Sequence, residues 1–88
     1  MRFKHILLRT PLLVENIQLS LRQGADFSVL ARENSACPSA NNGGDVGNID
    51  PADLPESIKQ ALQDAPIGEV IGPVESRHGH HLIKLESL

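Results

Sequence analysis

The sequence predicts an α+β domain, an antiparallel sheet with helices packed on it. Three observations carry this reading. Alternating, strand-like segments stand at both ends of the chain: "RFKHILLRT" at residues 2–10, and "VIGPV" and "HHLIKLES" after residue 69. Helical patterns with recognisable caps fill the middle instead of alternating with the strands, which separates α from β along the chain. The third observation is size: 88 residues allow one domain, spanning 1–88, around one small core. Hydrophobic residues make up 40% of the chain, too many for a disordered segment. Phe3 and Phe27 are its only aromatics, so Leu, Ile and Val must do the packing.

In the opening strand Phe3, His5 and Leu7 share one face, and Lys4, Ile6 and Leu8 the other. Apolar residues on both faces mark a central strand. Thr10 supplies an N-cap and Pro11 suits the first helical position. Val14, Ile17 and Leu21 form the inner stripe of the helix that follows, which runs to about Gln23, and Gly24 stands just past its end. Asp26 caps a second helix with Phe27, Leu30 and Ala31 on its inner side. Periodicity then stops over residues 35–53, where Pro38, Gly43, Gly44 and Gly47 mark turns. So long a loop in so small a domain is usually functional. A third, short helix starts near Pro55, with Leu54, Ile58, Ala61 and Leu62 along one side. "PIGE" is a turn, and the last two strands are joined through residues 77–79.

Composition excludes several functions. The net charge is −3 and no basic run exceeds two residues, which argues against nucleic-acid binding. The single cysteine excludes an internal disulfide and points to a reducing, cytoplasmic setting. No apolar run is long enough to span a membrane, and no signal-peptide core is evident, so no membrane partner is expected.

Cys37 stands out because free cysteine is among the most buried residue types, yet it lies in the least core-like segment, "NSACPSANNGGDVGN". It reads either as a nucleophile paired with histidine or as a residue packed under the glycine turn. His5 and His81 each occupy an apolar strand face. On adjacent strands their rings would reach each other, since a buried imidazole must satisfy both nitrogens. The ordinary alternative for each is a satisfied core histidine. "HGHH" also raises a metal-binding module, because histidine and cysteine suit zinc. Strand alternation sends His80 and His81 to opposite faces, so no metal and no cofactor is expected. Leu54 and Ile58, four residues apart, read as core or as the wall of an apolar pocket at the mouth of the loop.

"KHILL", "GADFSVLARENSACPSANNGGDVG" and "GEVIGPVESRHGHHLIKL" together resemble the parvulin family of peptidyl-prolyl isomerases, in order and spacing and over nearly the whole chain. The resemblance implies a four-stranded antiparallel sheet (the FKBP-like superfold) surrounded by three to four helices. It adds a short strand over residues 46–49 that periodicity does not reveal. It also implies a catalytic set of His5, Cys37, His81 and Ser76, with Val46, Ile49, Leu54, Ile58 and His78 around the proline ring. Where the family pocket carries aromatics this chain has aliphatic residues, which implies lower affinity or rate. Arg9 has no basic cluster beside it in sequence, so a requirement for phosphorylated substrates is not expected.

The function so implied is cis/trans isomerisation of X-Pro bonds in peptides and unfolded proteins, performed by a monomer. A non-catalytic parvulin-like peptide-binding or chaperone domain is the alternative.

Overall fold

The computed structural model describes residues 1–87. Strand β1 (Arg2–Leu8) leads into helices α1 (Pro11–Arg22) and α2 (Phe27–Asn34), followed by β2 (Asp45–Asn48), α3 (Glu56–Gln63), β3 (Val70–Ser76) and β4 (Gly79–Ser87). The sheet is antiparallel throughout, in the order β2-β1-β4-β3. The two longest apolar strands, β1 and β4, are therefore central, and both of their faces are covered. On one face Ile6, Leu8 and Leu82 meet Val14 and Ile17 of α1 and Phe27 and Ala31 of α2. On the other, Phe3, Ile83 and Leu85 meet Ile58 and Leu62 of α3. The two-residue period of each strand splits its apolar residues between two cores.

The helix starts follow their caps. The Thr10 hydroxyl accepts from Leu13 N at 3.3 Å, and the Asp26 carboxylate accepts from Val29 N at 3.1 Å. Leu21 and Leu30 are only partly buried, at the rim of the first cluster rather than inside it.

The segment expected to be structureless, residues 35–53, has more order than its composition implies. It holds 3₁₀ turns at Pro38–Asn42 and Pro51–Asp53, and β2 between them. β2 begins one residue earlier than the expected 46–49, at Asp45, because Asp45 pairs with Lys4 of β1; its carboxylate also accepts from Gly47 N at 2.8 Å. The segment is also hydrogen-bonded onto β1. Leu7 N donates to Ser35 Oγ at 3.0 Å, Ala36 N to Leu7 O at 2.8 Å, and His5 N to Gly44 O at 3.0 Å. Tertiary pairing thus supplies the order that no local period announces.

Gly44 is required where the segment turns back on β1. Its φ is +86°, and a Cβ there would stand 2.6 Å from His5 O and 3.1 Å from Ala31 Cβ. Left-handed backbone costs a side-chain-bearing residue about 1–3 kcal/mol, and the contact with His5 O adds to that. Gly44→Ala is expected to lower stability by at least that amount, read as a shift of the urea midpoint at unchanged m-value. An unchanged midpoint would show that the turn tolerates a side chain.

Candidate active site

The β1–β4 register pairs Leu7 with His81 and His5 with Ile83, so the two histidines are diagonal neighbours on one face of the sheet. Diagonal positions lie within reach of long or aromatic side chains. The two Nδ1 atoms are 3.4 Å apart, and the ring planes lie within 10° of parallel. Phe3, on the same face of β1, stands edge-on to His5 at 6.2 Å between centroids.

Both outer nitrogens are also satisfied. His5 Nε2 lies 3.1 Å from Ser39 Oγ, and His81 Nε2 lies 2.6 Å from Ser76 Oγ. His78 N donates to Ser76 Oγ at 3.1 Å, so the Ser76 oxygen is held from the turn between β3 and β4. The chain Ser39–His5–His81–Ser76 works only with matched protons. If the His5 ring donates from Nδ1, His81 accepts at Nδ1 and donates from Nε2 to Ser76, while Ser39 donates to His5 Nε2. The opposite polarity satisfies the same four groups. Either way one Nδ1 must be unprotonated, so at most one ring carries charge and the neutral pair fits best. Among the described residues no buried side-chain nitrogen or oxygen lacks a partner.

Burial drives the pair the same way. Desolvation, and then proximity to His81, lowers the His5 pKa to about 4. His81, 4% exposed, is lowered by desolvation and then by His78 and His80.

Above the pair opens a cleft of about 240 Å³. Phe3, Val46, Ile49, Leu54, Pro55 and Ile58 line it, and His5, His81 and Cys37 complete its surface. Cys37 is half-buried because its neighbours hold it there: Ser35 Oγ, which accepts from Leu7 N of β1, also accepts from Cys37 N at 3.3 Å. The thiol is therefore neither core nor free loop.

The structure brings together seven of the expected residues: His5, Cys37, His81, Val46, Ile49, Leu54 and Ile58. Ser76 joins through His81 rather than by lining the cleft. His78 does not line it either. It is exposed and lies in an adjoining cleft with Pro55, Ser57, Ser76 and Arg77. The expectation of a purely aliphatic pocket is corrected by Phe3, which lines the cleft. Its position two residues before His5 on an alternating strand was the signal. Ser39 was also missed, although it stands two residues after Cys37 in "CPS". His80 faces away from the pair, its Nδ1 3.6 Å from Glu75 Oε1. Among the described residues no three histidine, cysteine, aspartate or glutamate side chains are grouped to hold a metal ion.

A paired-histidine cleft on a four-stranded antiparallel sheet is the arrangement of one class of isomerase. Residues 5–87 match the family model described as "Rotamase: PPIC-type PPIASE domain". This chain belongs to that family of peptidyl-prolyl isomerase domains, the parvulins. It is 38% identical over 85 residues to the foldase protein PrsA of Geobacillus kaustophilus, covering 96% of this chain and 30% of that protein. It is 39% identical over 77 residues to the chaperone SurA of Legionella pneumophila (strain Lens), covering 88% of this chain and 18% of that one. The chain thus spans less than a third of the curated relatives it matches. The solution structure of NmPin, the parvulin of Nitrosopumilus maritimus, superposes with a TM-score of 0.85 at 28% identity, covering 99% of this chain and 95% of that one.

Two outcomes follow from this geometry. Between pH 6.5 and about 4 the unfolded chain protonates its histidines while folded His5 stays neutral. The unfolded state then binds more protons, so stability falls as pH drops through that window and is fully present above it. Urea denaturation at pH 7.5, 6, 5 and 4.5 is expected to show this loss, and His5→Gln to flatten it. Equal slopes for the two proteins would place the linkage elsewhere. Ile58 lines the cleft but is only 5% exposed and belongs to the core beneath it. Ile58→Ala is therefore expected to cost about 2–4 kcal/mol, and Leu54→Ala, which truncates a partly buried side chain at the edge of that core, clearly less.

Proposed function

We propose that the apolar cleft holds the proline ring of an X-Pro segment while the preceding amide rotates over the neutral His5–His81 pair, with Cys37 beside the carbonyl. The observation that carries this reading is that Phe3, Val46, Leu54 and Ile58 line one cleft together with two histidines in hydrogen-bond contact.

The barrier to rotation about an amide is about 18–20 kcal/mol, because resonance keeps it planar. The twisted transition state has lost that resonance, and its charge separation is smaller. An apolar wall supports the less polar form, and burying a ring of valine size contributes about 1.5–3 kcal/mol of binding. Only what favours the twisted form over both planar forms accelerates the step, at about 1.4 kcal/mol per tenfold. Neutrality of the histidines serves this. An imidazolium against the carbonyl oxygen would stabilise the charge-separated planar amide and raise the barrier. No bond to carbon has to form, so we assign Cys37 a non-covalent role.

The names of the relatives, foldase and chaperone, support a wider use of the same cleft, in which proline-containing stretches of unfolded proteins are its substrates. The reading includes a monomer without cofactor. It also includes a cytoplasmic setting, for which the unpaired Cys37 is the support. Among the described residues no helix is long and apolar enough to cross a membrane.

Exchange NMR or a protease-coupled assay on a non-phosphorylated Ala-Pro peptide tests the reading. Acceleration over buffer is expected, with Cys37→Ser retaining activity to within about tenfold and Leu54→Ala raising KM severalfold. No acceleration at high enzyme concentration would leave peptide binding without catalysis. Complete loss of activity in Cys37→Ser would restore the covalent role.

A further inference from the structure

Pro55 is one of the residues that line the apolar cleft over the histidine pair. Pro55 also walls an adjoining cleft of about 400 Å³, whose other lining residues are Ser57, Ser76, Arg77 and His78. Ser76, Arg77 and His78 in turn line a further depression of about 340 Å³, together with Arg9, Glu75 and His80. The second and third depressions share Ser76, Arg77 and His78, and the second adjoins the apolar cleft at Pro55. Their physical link to the reacting centre is Ser76, whose hydroxyl lies 2.6 Å from His81 Nε2 and accepts from His78 N.

The charge of this extension is opposite to that of the molecule. The chain carries a net −3, yet the extension is lined by two guanidinium groups, on Arg9 and Arg77, and by His78 and His80, against the single carboxylate of Glu75. That carboxylate lies 3.6 Å from His80 Nδ1. Glu56, next to Ser57 in sequence, accepts from Gln60 Nε2 at 3.3 Å along its own helix. Arg9 and Arg77 are far apart in sequence and line the same depression because Leu8 pairs with His80 across the central strands. Both are exposed and stand just past the ends of β1 and β3, so they can turn toward a peptide without disturbing the core.

We infer that this extension is the subsite for the residue next to proline, and that it selects a carboxylate there, with Arg77 as the specificity-determining residue and Arg9 reinforcing it. The inference deepens the proposed isomerase reading and rests on it. A guanidinium pairs with a carboxylate through two parallel hydrogen bonds, and the Ser57 and Ser76 hydroxyls add uncharged partners beside it. At an exposed site such a pair is worth a modest factor and is screened by salt.

The test compares matched peptides carrying Glu, Ala or Lys on either side of proline, plus one phosphoserine-proline peptide. Wild-type protein is expected to favour Glu over Lys on at least one side by about three- to tenfold in kcat/KM. The preference should shrink in 0.5 M salt and reverse in Arg77→Glu. Binding of the same peptides, followed through the amide shifts of residues 76–78, gives a readout that survives the absence of turnover. Lack of catalysis with a Glu-over-Lys binding preference would thus fail the isomerase reading alone. A Glu/Lys ratio that Arg77→Glu leaves unchanged would overturn the subsite. A preference for phosphoserine without one for glutamate would overturn the carboxylate assignment.

Discussion

The pairing of β1 with β4 is the constraint on which the other features depend. It runs from Arg2–Ser87 to Leu8–His80, in regular register from Phe3–Leu85 onward, and its register decides three things together. It sends Ile6, Leu8 and Leu82 to one core and Phe3, Ile83 and Leu85 to the other. It makes His5 and His81 diagonal neighbours on the second face. It also brings Arg9 at the end of β1 beside the turn that carries Arg77. A slip of one residue would turn each strand's side chains over and would dissolve the cores and the site together. Stability and site geometry therefore rest on the same backbone hydrogen bonds.

The rest of the site is built outward from that pair. Residues 35–44 are fastened to β1 at Leu7 and His5, which sets Cys37 at the cleft and Ser39 at His5. The turn after β3 holds Ser76 against His81. Each imidazole is thus fixed from two sides by elements far apart in sequence. Side chains held this way lose little further freedom when a peptide binds, which is the physical content of a preorganised site.

The apolar wall and the neutral histidines reinforce each other. The apolar surroundings on which the proposed amide rotation relies are the same surroundings that hold His5 uncharged. Phe3 contributes to both, lining the cleft and standing edge-on to His5. The depression lined by Arg9 and Arg77 does not share the histidine pair of the apolar cleft.

Much of this was legible in the sequence, because strands, helices and caps are written in local periods. Alternation in "FKHIL" and "HHLIKL" identified the central strands and put His5 and His81 on apolar faces. Thr10 and Asp26 marked helix starts, and the family motifs supplied Cys37, Ser76 and the pocket residues. Phe3 was within reach of the same alternation as His5. Other features have no local signature. β2 exists because an aperiodic, glycine-rich segment finds partners on β1. Ser39 matters only because that segment folds back over His5. His78 lines the neighbouring cleft and not the apolar one because the β3–β4 turn carries it there. Arg9 and Arg77, isolated in sequence, become one cationic surface through strand register. Local spacing determines which residues share a face, but which faces meet is settled by long-range hydrogen bonding and packing, and this is where the tertiary structure alone decided the site.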